Sequence, residues 1–254
     1  MPCKHRPLTG DEKARYTRQI AFPGLGEEGQ CKLGAATVAV FGAGGLGSPA
    51  CTYLTMAGVG RLIVIDRDRA ELSNLNRQFL HHDRDARIGM EKAVSAEEKL
   101  HSLNPNVQVI GKVAEVGKDD PLTLIENADV LLDCLDNYNA RMVVNAISIK
   151  KGLPLVHAGV EGLSGHLTVV IPGKTPCLGC LLPEKMAQRS RVPVIGVAPG
   201  VFGTLQAAEA VKLITGIGEP LAGRMLIGDI ATQDWEVLEI MRSPSCNHCG
   251  DLPQ

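Results

Sequence analysis

The stretch Thr37–Ser48, TVAVFGAGGLGS, constrains this chain more than any other. A short apolar run empties into a cluster of glycines and then into a helix-forming segment. Val38, Val40 and Phe41 read as a buried parallel strand, and Gly42, Gly44 and Gly47 keep the Gly-x-Gly-x-x-Gly spacing of a strand–turn–helix phosphate cradle, with Gly45 a fourth glycine inside it. Without Cβ atoms the backbone can turn sharply and let a pyrophosphate reach the N–H groups at the positive end of the following helix. About 20 residues on, where such units carry an acid, the apolar run RLIVID ends at Asp66, placed to bond ribose hydroxyls. Strand, turn, helix and distal acid occur in order, so a nucleotide ligand is expected, with a glycine-rich structural turn as the alternative. Which nucleotide is open at this point.

Composition bounds the setting. The 254 residues can bury a full core, and the net charge of −2 with scattered signs gives no basic stripe for nucleic acid. No apolar run reaches the roughly 18 residues of a membrane span, and the N-terminal residues lack an apolar signal core. A soluble cytoplasmic protein, off the membrane, is expected. Eight cysteines would suit a small secreted disulfide scaffold, but four of them form the pairs Cys177/Cys180 and Cys246/Cys249, 66 residues apart in Gly-, Pro- and Asn-rich turns. Four thiolates suit a tetrahedral Zn²⁺ that clips the C-terminal tail to the body of the chain; two redox pairs or buried free thiols are the alternatives. His248 is read as a spectator, and Cys3, Cys31, Cys51 and Cys134 as core or surface residues without obvious partners.

Along the chain, DEKARYTRQI and GEEGQCKLG are short helical patterns before the first strand. Arg15 and Arg18 share a helix face, where two cations could act together or be solvated surface charge. The helix SPACTYLTMA ends at Gly58 and Gly60, with Met56 assigned to the core. VQVIGKV, DVLLDCLDN, PLVHAGV and GHLTVVIPG follow as strands, separated by the helices MEKAVSAEEKLHSLNP, PLTLIENA and YNARMVVNAISIKKG. After a proline-broken crossing loop, 181–199, come the amphipathic helix VFGTLQAAEAVKLITG and a closing antiparallel pair, RMLIGDI and DWEVLEIMR. This is the pattern of an α/β fold: a Rossmann-like, mostly parallel sheet with helices on both faces, an N-terminal helical extension, C-terminal antiparallel strands and a zinc-clipped tail. One domain over 1–254 is expected, with the extension in 1–35, the nucleotide-binding core in 36–172 and the metal-bound part in 173–254.

Segments that leave the carboxyl ends of strands supply the site candidates. The polar run RDRAELSNLNRQFLHHDRDARIG after Asp66 lacks sustained periodicity and reads as a functional loop, which nominates Asn74, Arg77 and Gln78. His81 and His82 lack a partner at ligand spacing and are taken as surface residues. Lys92, near a helix start, opposes the helix dipole unless an anion is nearby. At the end of DVLLDCLDN, either Asp136 or Asn137 would cap the next helix, and Asp136 also points toward the expected crevice.

Taken together, RYTRQI at 15–20, GAGGLGS at 42–48, DRD at 66–68, NLNRQ at 74–78, the GMEK lysine Lys92, DCLDN at 133–137 and the two cysteine pairs resemble the MoeB/ThiF/HesA adenylyltransferases, which are similar to ubiquitin-activating enzymes. The resemblance covers nearly the whole chain. It implies a ThiF-type enzyme that binds Mg·ATP and attaches AMP to the C-terminal glycine carboxylate of a small ubiquitin-like sulfur carrier ending in Gly-Gly. Carried over, Gly42, Gly44, Gly45 and Gly47 would cradle phosphates, Asp66 would hold the ribose, and Asn74, Arg77 and Lys92 would meet the triphosphate. Asp136 would hold Mg²⁺, and Asp68, Gln78 and Asn137 would complete the ATP site. The arginine matching Arg18 reaches across a dimer interface in similar enzymes, which implies a homodimer. A carboxylate attacking the α-phosphorus builds charge that cations such as Arg77 and Lys92 must offset.

Two departures bear on the chemistry. Many relatives carry a cysteine in the loop after the first metal pair, whereas 181–199 holds Ser190 and no cysteine. No rhodanese-like sulfurtransferase segment follows the second pair, so an external sulfur donor is expected. Three competing readings stand beside adenylation of a carrier: an NAD-dependent oxidoreductase, which leaves Arg77, Lys92, Asp136 and the cysteine pairs without roles; a non-enzymatic carrier-binding scaffold; and a related dehydratase that cyclises threonylcarbamoyl-adenosine in tRNA.

Overall fold

The computed structural model describes residues 7–182 and 192–252. Three helices precede the first strand: α1 (Gly10–Arg15), α2 (Thr17–Ile20) and α3 (Gly26–Ala35). Thr9 and Glu12 close a capping box at the start of α1, the side chain of each accepting from the backbone N–H of the other. The stretch expected to bind the nucleotide begins with β1 (Thr37–Phe41), α4 (Gly47–Ala57), β2 (Arg61–Ile65), a 3₁₀ turn at Leu72–Asn74, α5 (Asp83–Ile88), α6 (Lys92–Leu103) and β3 (Gln108–Lys112). Then come α7 (Pro121–Ile125), β4 (Val130–Asp133), α8 (Tyr138–Lys151) and β5 (Leu155–Glu161). The chain closes with β6 (Ser164–Val170), α9 (Leu178–Leu181), α10 (Val197–Thr215), β7 (Arg224–Asp229) and β8 (Asp234–Glu239). No helix among the described residues is long and apolar enough to cross a membrane.

All eight strands form one sheet in the order β3-β2-β1-β4-β5-β6-β7-β8. Pairing is parallel from β3 through β5 and antiparallel from β5 onward. The strand order reverses between β1 and β4, which opens a crevice beyond their carboxyl ends. Phe41 pairs with Asp133 and Asp133 with His157, so those ends are level across three strands.

Alternation places side chains of each central strand on both faces, and both faces are covered, so these strands read as nearly unbroken apolar runs. On one face Val38 and Val40 pack with Leu54 of α4 and with Phe202 and Ala207 of α10. On the other, Ala39 and Phe41 join Leu131, Ile147 of α8 and the first cysteine turn at Cys177 and Leu178.

The structure corrects several expectations. The antiparallel part holds β6 as well as the closing pair, because the chain reverses at Gly162, whose φ of +61° suits a tight hairpin turn. The polar segment after Asp66 is not loop throughout, since it contains the 3₁₀ turn and α5. The long helix α10 begins at Val197, inside the expected crossing loop, whose residues 183–191, with Ser190, lie outside the described residues. Met56 is 48% exposed, because α4 packs through its Leu54 side and leaves Met56 outward. His81 is buried whereas His82 is exposed, and Cys31, read as lacking a partner, is disulfide-bonded. Cys51 and Cys134 are buried free thiols.

Candidate active site and cysteine cluster

The glycine loop turns where β1 ends. Gly42 has a φ of +100°, and a Cβ there would come 2.7 Å from the Cys134 carbonyl oxygen. A Cβ on Gly47 would lie 1.9 Å from the carbonyl oxygen of Gly42. Side chains at these two positions would force β1, β4 and α4 apart. Among the described residues the loop N–H groups of Gly44, Gly45 and Leu46 find no hydrogen-bond acceptor, which leaves them free for an anion.

Asp66, at the end of β2, faces this loop. Its Oδ2 accepts the Ala43 N–H at 2.8 Å and its Oδ1 the Asp68 N–H at 2.8 Å, so the acid fixes the loop and retains further lone pairs to accept from a ligand. Burial pushes its carboxyl above the ordinary value, opposed by the nearby Lys92 ammonium. Lys92 is itself buried at the first position of α6, with its Nζ 3.2 Å from Asp68 Oδ2. The anion that its place at a helix N-terminus calls for is thus supplied in part by Asp68.

The NLNRQ segment folds under the loop. The Asn74 carbonyl accepts the N–H groups of Arg77 at 3.1 Å and Gln78 at 3.0 Å. Arg77 lays its stem beside Gly45 and donates to the Ser73 carbonyl at 3.0 Å and Asn76 Oδ1 at 3.2 Å, with no carboxylate paired to it among the described residues. Gln78 is buried against Gly44, and its Oε1 has no hydrogen-bond partner. A buried orphan of this kind costs stability unless a ligand meets it.

Beyond β4 the two capping alternatives separate. Asn137 Oδ1 accepts the Ala140 N–H at 2.9 Å and caps α8. Asp136 is exposed and makes no hydrogen bond or ion pair among the described residues, so its charge is open to a ligand. Arg18 is exposed on α2, also without a partner among the described residues. The structure therefore gathers the glycine loop, Asp66, Asp68, Lys92, Arg77 and Gln78 through direct contacts. Asp136 follows two residues after Cys134, whose carbonyl abuts Gly42, and no direct contact ties Asp136 or Arg18 to the set among the described residues.

One buried cluster was missed from the sequence. Asp133 Oδ2 meets His157 Nδ1 at 2.7 Å, His157 Nε2 meets His166 Nε2 at 3.1 Å, and Arg141 Nε lies 3.7 Å from Asp133. Burial opposes ionisation of Asp133, but Arg141 and the His157 hydrogen bond hold its carboxyl below the ordinary value. Burial lowers His157, and burial with His157 and Arg141 beside it lowers His166 to about 3. The signal was an acid inside the apolar run VLLDC, since a charge on a central strand is buried and needs partners.

The two cysteine turns meet although they lie far apart in sequence. The four Sγ atoms of Cys177, Cys180, Cys246 and Cys249 lie within 4.8 Å of one another, with Cys177 to Cys246 at 3.7 Å and Cys180 to Cys249 at 3.5 Å. A tetrahedron with Zn–S bonds of about 2.3 Å has S···S edges of about 3.8 Å, so spacing and donor type fit Zn²⁺. Asn145 Oδ1 accepts the Leu178 N–H at 2.9 Å and steadies the first turn. Arg242, a residue the sequence did not single out, donates to the carbonyls of Cys249, Gly250 and Leu252 and steadies the second. His248 packs against Gly179 and is not part of the cluster.

A family model described as "ThiF family" matches residues 16–249. The chain belongs to the ThiF family. It is 40% identical over 248 residues to "Protein HesA, vegetative" of Trichormus variabilis, covering 97% of this chain and 93% of that protein. It is also 40% identical over 255 residues to the sulfur carrier protein adenylyltransferase of Thermus thermophilus, covering 96% of this chain and 93% of that one. Among solved structures it is similar to E. coli MccB with ATP, at a TM-score of 0.84 and 25% identity, over 95% of this chain and 75% of that chain.

Proposed function

We propose that this ThiF-family chain is an adenylyltransferase that uses Mg·ATP to activate the C-terminal glycine carboxylate of a ubiquitin-like sulfur carrier, releasing pyrophosphate. The observation that carries the reading is the set of groups at one end of the sheet that are unmet among the described residues: the N–H groups of Gly44, Gly45 and Leu46, the Gln78 Oε1, the Arg77 guanidinium without a carboxylate and the Asp136 carboxylate without a cation. A folded chain leaves such groups unpaired where a charged ligand completes them. The named relatives, a sulfur carrier protein adenylyltransferase and a SAMP-activating enzyme E1 of Haloferax volcanii, which is 40% identical over 250 residues, support the same reaction. An NAD oxidoreductase would leave Lys92 and Asp136 idle.

In this reading Asp66 holds the ribose, and the loop N–H groups with Arg77 and Lys92 hold the phosphates. The carrier carboxylate attacks the α-phosphorus, the bond to the β-phosphate oxygen breaks, and pyrophosphate leaves. Charge that grows on the departing oxygens is met by Arg77 and Lys92, which are positioned before the reaction and need not reorganise during it. Mg²⁺, when bound by Asp136, would supply further neutralisation of the triphosphate. Zn²⁺ on the four cysteines is assigned a structural part, because a closed four-sulfur site leaves no open position for chemistry. The second copy of a homodimer would bring Arg18, which has no partner among the described residues, to the neighbouring site. Cytoplasmic carriers and an external sulfur donor complete the scheme.

ATP–pyrophosphate exchange tests this with candidate carriers ending in Gly-Gly. Exchange that needs both the carrier and its terminal glycines is expected. Exchange with none of the carriers, together with tight NAD binding, would overturn the reading.

A further inference from the structure

We propose that His81 is a positioning residue for the phosphate loop: with Ser95 and Lys99 of α6 behind it, it holds the Ala43 peptide so that the next three N–H groups stay aimed at the nucleotide. The proposal rests on the adenylyltransferase reading for what the loop binds.

The Ala43 peptide groups are gripped from two sides. Its N–H donates to Asp66 Oδ2 at 2.8 Å, and its carbonyl meets His81 Nε2 at 2.8 Å. A carbonyl can only accept, so Nε2 carries a proton. Behind the ring, Nδ1 lies 2.9 Å from Ser95 Oγ, and Ser95 Oγ receives Lys99 Nζ at 2.8 Å. Lys99 Nζ also pairs with Asp85 Oδ2 at 2.6 Å, and that oxygen takes the His82 N–H at 2.7 Å. Ser95 Oγ lies 3.2 Å from the same carboxylate, but its single proton is directed to the closer, bare Nδ1 of a neutral ring. Burial keeps the ring neutral by pushing the His81 pKa below its ordinary value.

The donors therefore run one way, from Lys99 to Ser95 to His81 to the Ala43 carbonyl, while the Ala43 N–H continues to Asp66. Each buried member has its partner, and a satisfied buried network of this kind fixes geometry. Ser95 and Lys99 lie three and seven residues after Lys92, on one face of α6. One helix face thus presents the phosphate cation and also steadies the loop that shares the phosphates. Loss of the His81 contact would free the Ala43 carbonyl to rotate and swing the Gly44 N–H with it, since both belong to one rigid peptide plane.

The test compares wild type, His81→Leu, His81→Gln and Ser95→Ala. Gln keeps an amide donor near the Nε2 position. Hydrogen exchange over residues 43–48 is measured without nucleotide, and Mg·ATP affinity by calorimetry. His81→Leu should exchange faster across the loop and bind Mg·ATP roughly three- to tenfold more weakly, the cost of one lost buried hydrogen bond. His81→Gln should recover most of both, and Ser95→Ala should show a smaller loss. A lower melting temperature with wild-type loop exchange and affinity would make His81 a packing residue and overturn the proposal. If His81→Leu does not fold, equal exchange and affinity in Ser95→Ala and wild type would overturn it as well. If wild type itself fails to bind Mg·ATP, the functional reading falls and loop exchange alone decides the role of His81.

Discussion

The two ends of this sheet are held together by different means. On the nucleotide side, β1 and β2 are buried and the loop between β1 and α4 is tied by hydrogen bonds from Asp66 and His81. On the far side, β8 is exposed along its whole length, and the tail that follows it is fastened through four sulfurs and the Arg242 guanidinium. A ligand loop that must keep sub-ångström geometry is built from short-range hydrogen bonds within a core. A tail whose cysteines meet a pair far away in sequence would gain from a metal cross-link that the unfolded chain cannot make. The first region should therefore resist removal of metal and fail through point changes in its network. The second should show the reverse.

The largest expected effect breaks the second region. Cys249→Ser, or extraction of metal with a chelator, should lower the melting temperature by roughly 10 °C or more while Mg·ATP affinity changes little. Metal analysis should find one zinc per chain in wild type. A zinc-free protein with an unchanged melting temperature would remove the contrast between the two ends. Next comes Asp136→Asn, which should cut adenylation on the order of 100-fold, the scale for losing one electrostatic group at a reacting centre. Its melting temperature should match wild type, because Asn137 and not Asp136 caps α8. Asn137→Ala should then do the opposite, costing about 1 kcal/mol of stability measured by urea unfolding, with a smaller effect on rate. Equal rate losses in the two variants would mean that the helix start matters more than the charge.

The last effect concerns acid and is the smallest near neutral pH, where it vanishes. His166 is held neutral in the fold, with its pKa at about 3 against an ordinary value of 6.5. The unfolded chain takes up this proton first, so stability should fall as pH drops below about 6.5 and the loss should level off near pH 3. His166→Gln, whose amide can still meet His157, should make that slope shallower. A slope unchanged by the substitution would place the acid sensitivity elsewhere.

What the sequence disclosed follows from how local each signal is. The glycine loop, Asp66 and the central strands were legible because strand, turn and acid come in fixed order within a few dozen residues. The cysteine turns were legible as two pairs, and their meeting was expected from chemistry alone, since four thiolates at one point need a metal. His81 was misplaced because its partners, Ala43 and Ser95, lie on two other elements, and a single histidine in a polar run carries no periodic signal. Met56 was misplaced for a related reason. A small-residue helix packs against its neighbours by close backbone approach, so its larger side chains can face outward without weakening it. The reversal at Gly162 was written in VEGLSG, where glycines flank a short turn, but the adjacent apolar runs suit parallel and antiparallel strands alike.

The change of pairing at β5 also sets a timetable for the newly made chain. Val38 of the central strand must wait for Val130 before both its neighbours exist, whereas β5 and β6 can zip together across one tight turn as soon as they are made. Closing short loops costs less entropy than closing long ones, so the late hairpin has the easier search although it is synthesised second. The clasp comes last of all, because Cys177 and Cys180 have no partners until Cys246 and Cys249 emerge. A chain cut before Cys246 could therefore build most of its sheet but could not assemble the four-sulfur cluster.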